Sequence, residues 1–251
     1  MINVLISGAL GRMGKKVYEA SIANEFVNAV CGVDIKEDFS TQSFPVYSNF
    51  NGVKEKVDVI IDFSSPLNLD NVLTFAITNG IPAVLCATGY SEEQVDKVKK
   101  ASEKIAVFRS GNMSLGVNVL IDIVKKAAAS LYGFDVEIIE KHHNQKVDSP
   151  SGTALMLADA VKEVQPEKYY TFGREGMVGK RDSAEIGIHA VRGGNIVGEH
   201  DVIFAGNFET VTLSHQATDR SVFAEGAIKA AIYLHDKKSG LFNMNDVING
   251  K

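Results

Sequence analysis

The chain has no tryptophan, two cysteines and five prolines. Cys31 and Cys86 both lie in apolar, strand-like runs. Two isolated thiols build neither a disulfide framework nor a thiolate metal site, and buried reduced thiols fit a reducing compartment, so a cytoplasmic location is expected. No run of about 18 apolar residues occurs, so no transmembrane helix and no membrane partner are expected. The first residues, Met1-Ile2-Asn3-Val4-Leu5-Ile6, lack a basic segment and a cleavage site and read as a strand, not a secretory signal. A basic excess is missing too: the net charge of -5 argues against nucleic acid as the main partner. There is no internal repeat and no low-complexity segment.

What is present is an alternation of short apolar runs and helical patterns. Val4-Leu5-Ile6, Val27 to Val33, Val57 to Asp62, Ala83 to Leu85 and Ile105 to Phe108 read as strands, with helices over Arg12 to Ala23, Asn68 to Asn79 and Glu92 to Glu103 between them. This alternation implies βαβ units and a parallel sheet covered on both faces. From about Ser114 the rhythm changes. A helix through Leu131, a strand from Asp135 to Glu140 and a helix from Ser151 to Val164 precede a Gly- and charge-rich loop from Phe172 to Ala184, whose composition suggests a mobile lid. Three period-2 runs follow, Glu185 to Val191, Glu199 to Phe204 and Glu209 to His215, separated by Gly-Gly-Asn and Gly-Asn signals that suggest antiparallel neighbours. A last helix covers Phe223 to Leu234. The expected fold class is α/β, a Rossmann-like doubly wound sheet (1–113 and 221–251) plus an α+β unit with a mostly antiparallel sheet (114–220).

Gly8, Gly11 and Gly14 lie between the first strand and the first helix. Their spacing suits a tight turn, backbone N–H groups aimed at a pyrophosphate, and close packing of helix on sheet. Asp34 ends the second strand, 20 residues after Gly14, where an acid would meet the adenosine ribose. These features point to a dinucleotide. A 2′-phosphate about 4 Å from the Asp34 carboxylate would meet repulsion of about 4 kcal/mol at an effective dielectric of about 20, which favours NADH. Arg12 and Lys36 could offset that repulsion, so NADPH stays open. The loops after the third, fourth and fifth strands, Asp62 to Pro66, Cys86 to Gly89 and Ser110 to Ser114, belong at the carboxyl ends of the sheet, where ligands bind.

Glu140 to Ala154 reads E-K-H-H-N-Q-K-V-D-S-P-S-G-T-A. His142 and His143 are neighbours at a strand end, so they point to opposite sides and do different jobs. Histidine is a good general acid near neutral pH. Lys146 can hold a carboxylate or serve as a second proton source. Ser151, Gly152 and Thr153 open a helix whose first N–H groups suit an anion, and Ser151 also reads as a plain N-cap. Zinc is disfavoured: adjacent histidines lack the i, i+4 spacing, and no thiol or acid cluster completes a site. No metal is expected.

H-H-N-Q-K-V-D-S-P-S-G-T-A resembles the signature of the dihydrodipicolinate reductases, also called 4-hydroxy-tetrahydrodipicolinate reductases, of the diaminopimelate route to lysine. The resemblance extends through G-R-M-G at Gly11 to Gly14, D-F-S at Asp62 to Ser64, N-M-S-L-G-V-N at Asn112 to Asn118, G-R-E-G at Gly173 to Gly176, R-G-G-N-I-V-G-E-H at Arg192 to His200, and Arg220. It implies an NAD(P)H-dependent oxidoreductase that reduces 4-hydroxy-tetrahydrodipicolinate to tetrahydrodipicolinate with loss of water. It further implies His142 as proton donor and Lys146 as second catalytic residue. His143, Ser151, Gly152, Thr153 and Thr88 would contact the dicarboxylate substrate. Gly8, Ala9, Leu10, Gly11, Arg12, Met13, Asp34, Phe63, Cys86, Ala87, Thr88, Ser110, Gly111, Asn112 and Met113 would contact the cofactor, with NADH favoured over NADPH. A homotetramer built through the C-terminal sheet is implied as well. One departure is C-A-T-G at Cys86 to Gly89, where the family pattern is G-T-T-G. Two other readings compete: a dehydrogenase for another amino or keto acid, in which the His-His-Lys cluster would lack a reason, and a redox sensor that binds NADH without catalysis.

Overall fold

The computed structural model describes residues 1–35 and 44–250. Lys36, offered above as a charge that could favour NADPH, lies outside them. The chain divides into two compact units, Met1–Leu115 with Arg220–Lys251, and Gly116–Asp219.

The first unit is built on a seven-stranded sheet. Its strands are β1 (Ile2–Ser7), β2 (Val27–Val33), β3 (Val46–Tyr47), β4 (Val59–Asp62), β5 (Ala83–Leu85), β6 (Ala106–Arg109) and, from the far end of the chain, β12 (Gly240–Phe242). The order is β12-β6-β5-β4-β1-β2-β3 and the strand pairs are parallel. This is the expected doubly wound sheet, with the order reversing at β1 and β4. Alternating side chains divide between two cores, as the period of two requires. Val4 and Ile6 of β1, Val59 and Ile61 of β4 and Phe108 of β6 pack against α1 (Arg12–Ile22) and α6 (Ser221–His235), with Met244 of α7 (Met244–Asn249). Leu5, Ile60 and Leu85 face the other way, toward α2 (Leu69–Asn79) and α3 (Glu92–Ser102). α6 lies close because its inner face is small. A Cβ at Gly226 would come within 1.7 Å of the Met113 carbonyl oxygen.

The second unit holds α4 (Leu115–Ser130), β7 (Asp135–His142), α5 (Gly152–Val164), β8 (Tyr169–Phe172), β9 (Glu185–Arg192), β10 (Gly198–Ala205) and β11 (Thr210–Ala217). Its sheet runs β11-β10-β7-β9-β8, antiparallel at β11–β10 and β10–β7, parallel at β7–β9 and β9–β8. One expectation fails here. β9 and β10 run in opposite directions but are not neighbours, because β7 lies between them. Their connection is a bridge across the end of β7: the Gly193 N–H donates to the His142 carbonyl, and Asn144 N–H donates to the Gly194 carbonyl. Glycine and asparagine mark the loop without saying which strand it must pass.

α4 and α5 cover one face of this sheet, closing on Val136, Ile138, Ile186, Ile188, Val202 and Phe204. The other face carries charge. Glu137 of β7 lies over Gly187 of β9, where a Cβ would fall 1.9 Å from its carboxylate. It accepts two bonds from Arg174 (2.9 and 3.0 Å) and one each from Arg181 Nε (3.0 Å) and His189 Nε2 (2.7 Å). Arg181 also reaches Asp135 and the carbonyls of Val136, Asp182 and Glu185. The segment from Phe172 to Ala184 is thus pinned to the sheet at Arg174 and Arg181, while Met177 and Val178 between them are exposed. Composition alone suggested a lid.

Burial pushes the Glu137 carboxyl up, but Arg174, His189 and Arg181 outweigh it and pull it down to about 2. A depressed carboxylate stabilises the fold above its unfolded value of about 4.5, and that contribution is lost as pH falls toward about 2. In acid titrations followed by urea denaturation, Glu137→Gln should flatten stability across that window. The contribution at pH 7 should be on the order of 2 kcal/mol, solvent screening included.

Candidate active site

In the first unit the Gly-rich turn is shaped by its neighbours. Gly8 has φ +80°, and a Cβ there would sit 2.9 Å from the Ser64 backbone; a Cβ on Gly14 would be 2.2 Å from the Gly8 carbonyl oxygen. Both positions therefore demand glycine. α1 starts at Gly11 with no side-chain cap, which leaves its first N–H groups to a ligand. Asp34 is buried, and its carboxylate accepts the Leu10 N–H at 2.9 Å, tying the end of β2 to the turn. Asp62 accepts the Ser64 N–H (3.2 Å) and hydroxyl (2.5 Å), while Asn68 bridges to Ser7 and Ser64. Cys86 N–H donates to the Asp62 carbonyl. The ends of β1, β2, β4 and β5 are thereby knitted into one rim. This cradle fits a dinucleotide: the turn has no room for a Cβ, the helix start is uncapped, and an acid closes the end of β2 beside the turn.

Not every side chain named from the sequence faces outward. Ala9, Met13, Phe63, Cys86 and Met113 pack in or against the core. Burial, and then Asp62, push the Cys86 thiol up, away from thiolate chemistry. The departure from the family pattern is therefore absorbed inward at Cys86, and Thr88 and Gly89 stay exposed. Arg12 and Gly111 are exposed, Ser110 and Asn112 half-buried.

In the second unit, His142 ends β7 with its side chain on the buried face, and Glu140 precedes it on the same face. Glu140 is fully buried. One oxygen lies 2.6 Å from His142 Nδ1, and the Ser151 N–H donates to the other at 3.0 Å. Arg192, opposite His142 on β9, grips both oxygens at 2.7 and 2.8 Å and also donates to the Asp148 carbonyl. Burial pushes the Glu140 carboxyl up; Arg192, His142 and Ser151 outweigh it and hold it below the usual carboxylate value.

His200 of β10, across from Glu140, meets His142 edge-on with ring centroids 5.2 Å apart. Its Nε2 is 3.0 Å from the Ser151 hydroxyl. Burial first, then the neighbouring His142, push its pKa down to about 4, so it stays neutral. Lys146 folds back in a turn, its N–H on the His143 carbonyl and its ammonium 2.8 Å from Asp148. Gly152 and Thr153 open α5.

Ser151 serves as the expected N-cap. It is 2% exposed, its N–H serves Glu140, and its hydroxyl caps α5 through Ala154 N–H while meeting His200. Its hydroxyl and N–H are thus engaged within the unit, and Gly152 and Thr153 follow it as the first residues of α5. Sequence reasoning missed the roles of Glu140, Arg192 and His200, although all three fall within motifs quoted above. The signal for Glu140 was available: its spacing of two from His142 puts both on one face of a strand.

The family model for the dihydrodipicolinate reductase N-terminus matches residues 2–113, and that for the C-terminus residues 116–248. The chain belongs to the dihydrodipicolinate reductase family. It is therefore a nicotinamide-dependent oxidoreductase. It is 53% identical to the 4-hydroxy-tetrahydrodipicolinate reductase of Caldanaerobacter subterraneus subsp. tengcongensis over 99% of this chain and 98% of that one. It is 47% identical to the reductase of Clostridium novyi, with 100% of both chains covered. A solved, dipicolinate-bound dihydrodipicolinate reductase from Paenisporosarcina sp. TG-14 superposes with a TM-score of 0.81 at 28% identity, covering 98% of this chain and 99% of that one.

His200 generates a test within this reductase. A base held at about 4 when folded, against about 6.5 when unfolded, costs stability where only the unfolded chain takes the proton. Stability should therefore fall as pH drops from about 6.5 to about 4. In His200→Gln that fall should shrink by up to roughly 3 kcal/mol, measured by urea denaturation at stepped pH.

Proposed function

We propose that the protein reduces 4-hydroxy-tetrahydrodipicolinate to tetrahydrodipicolinate, with loss of water, in the diaminopimelate route to lysine. The observation that carries this reading is His142 at the buried end of β7, backed by an ionised Glu140 and flanked by Lys146 and the start of α5. Such a cluster can bind a dianion and return a proton. It gains weight from a relative crystallised with dipicolinate, a ring carrying two carboxylates.

Gly8 to Met13, Asp34, Phe63, Cys86 to Thr88 and Ser110 to Met113 would hold the coenzyme, which supplies a hydride when bound. The substrate carboxylates would be held by the N–H groups of Gly152 and Thr153, the Thr153 hydroxyl, His143 and Lys146. Lys146 neutralises charge on the substrate and serves as the second catalytic residue. After reduction an enamine carbon needs a proton, and His142 gives it, leaving a neutral imidazole. NADH is the favoured donor because the Asp34 carboxylate, fixed by Leu10, would repel a 2′-phosphate. Two reduced, buried cysteines support a cytoplasmic setting. The helix-free face of the second sheet supports a homotetramer, which light scattering behind size exclusion would measure.

The decisive assay couples the protein to the synthase that makes hydroxy-tetrahydrodipicolinate and follows NADH absorbance. Oxidation no faster than background sinks the proposal. His142→Gln should lose about 10²-fold or more in kcat while still binding NADH by fluorescence titration. Asp34→Ala should raise kcat/KM for NADPH relative to NADH; an unchanged ratio removes Asp34 from the ribose site.

A further inference from the structure

We infer that Glu140 and Arg192 act as a pair on His142, fixing which ring nitrogen faces the substrate and how firmly the ring keeps its proton. The inference rests on His142 as the proton donor. The geometry has three parts. First, His142 Nδ1 lies 2.6 Å from the buried Glu140 carboxylate, so Nδ1 carries a proton in both states of the ring. Second, the remaining nitrogen, Nε2, points toward Gly198 of β10, where a Cβ would approach it to 3.0 Å. Glycine at that position keeps the approach to Nε2 open. Third, the bidentate grip of Arg192 shares the Glu140 charge, and Ser151 N–H takes a further lone pair.

The charge balance follows. Glu140 accepts from Nδ1, and Arg192 shares the same two carboxylate oxygens. Without Glu140, Nδ1 would lose its acceptor and the ring would stand near the Arg192 guanidinium. With both, Nε2–H donates to the substrate carbon, the N–H bond breaks, the ring becomes neutral and Glu140 stays ionised. Among the described residues, His200 of β10 meets the ring edge-on, His215 lies opposite His200 on β11, and Lys146 pairs with Asp148 in the loop before α5. All four are left intact in the test below. Glu140 and Arg192 are positioning residues: they work through His142.

The test follows the His142 ring by nitrogen-15 NMR in the full-length protein, together with the pH profile of kcat. In the wild type, the neutral ring should carry its proton on Nδ1. A ring protonated on Nε2 overturns the inference with no variant needed. Glu140→Gln should move the ring titration to lower pH by about one unit or more and lower kcat at neutral pH by about 10²-fold. Arg192→Met should move it to higher pH. A purely structural role would give no shift, or the same sign in both variants, and either result overturns the pair. Unmoved titrations alongside a dead His142→Gln sink this inference and leave the proton-donor reading standing. An active His142→Gln sinks that reading itself.

Discussion

The second unit depends on one buried negative charge. Glu140 has no access to water and accepts four hydrogen bonds, and those donors belong to separate pieces of chain: β7 itself, β9 and the turn that opens α5. Breaking such a pair by removing one partner costs about 3–5 kcal/mol, because a charge is left stranded in a low-dielectric interior. The same bonds that satisfy Glu140 also place Pro150, Ser151 and the start of α5 beside His142. Stability and site geometry are therefore set by one set of contacts.

The first unit uses a carboxylate in a related way. Asp34 catches the Leu10 N–H from the end of a neighbouring strand, and Asp62 catches Ser64. Each turns a flexible loop at the carboxyl edge of the sheet into a fixed one without spending a helix or a strand on it. Glycines at positions 8 and 14 let these loops come within van der Waals distance, and the N–H groups at the start of α1 remain for a ligand.

Much of this was legible in the sequence. The alternation of strand and helix periods located the elements of the first sheet within a residue or two, since a buried parallel sheet leaves continuous apolar runs. The motif from His142 to Thr153 pointed to the family that the family models match. Edge strands β3, β8 and β12 were missed because two to four residues carry little periodicity. The placement of β7 between β9 and β10 was missed because alternation fixes which face a residue occupies and is silent about the neighbouring strand. Ser151 reads both as an N-cap and as part of an anion site because the two use the same residue types; the cap is what the structure shows. Arg192 as the partner of Glu140 was invisible for the reason that hides most ion pairs: it lies 52 positions away.

That distance bears on how the protein comes into being. β7 is complete by His142, yet it becomes a central strand only when β9 and β10 have arrived on either side. The guanidinium that takes both Glu140 oxygens is supplied only when β9 is in place. Chain closure of this length is slow relative to local helix formation. A chain that stops short of β9 holds the whole His-His-Lys motif without Arg192. The buried carboxylate thus ties the order of the motif on β7 to the presence of β9.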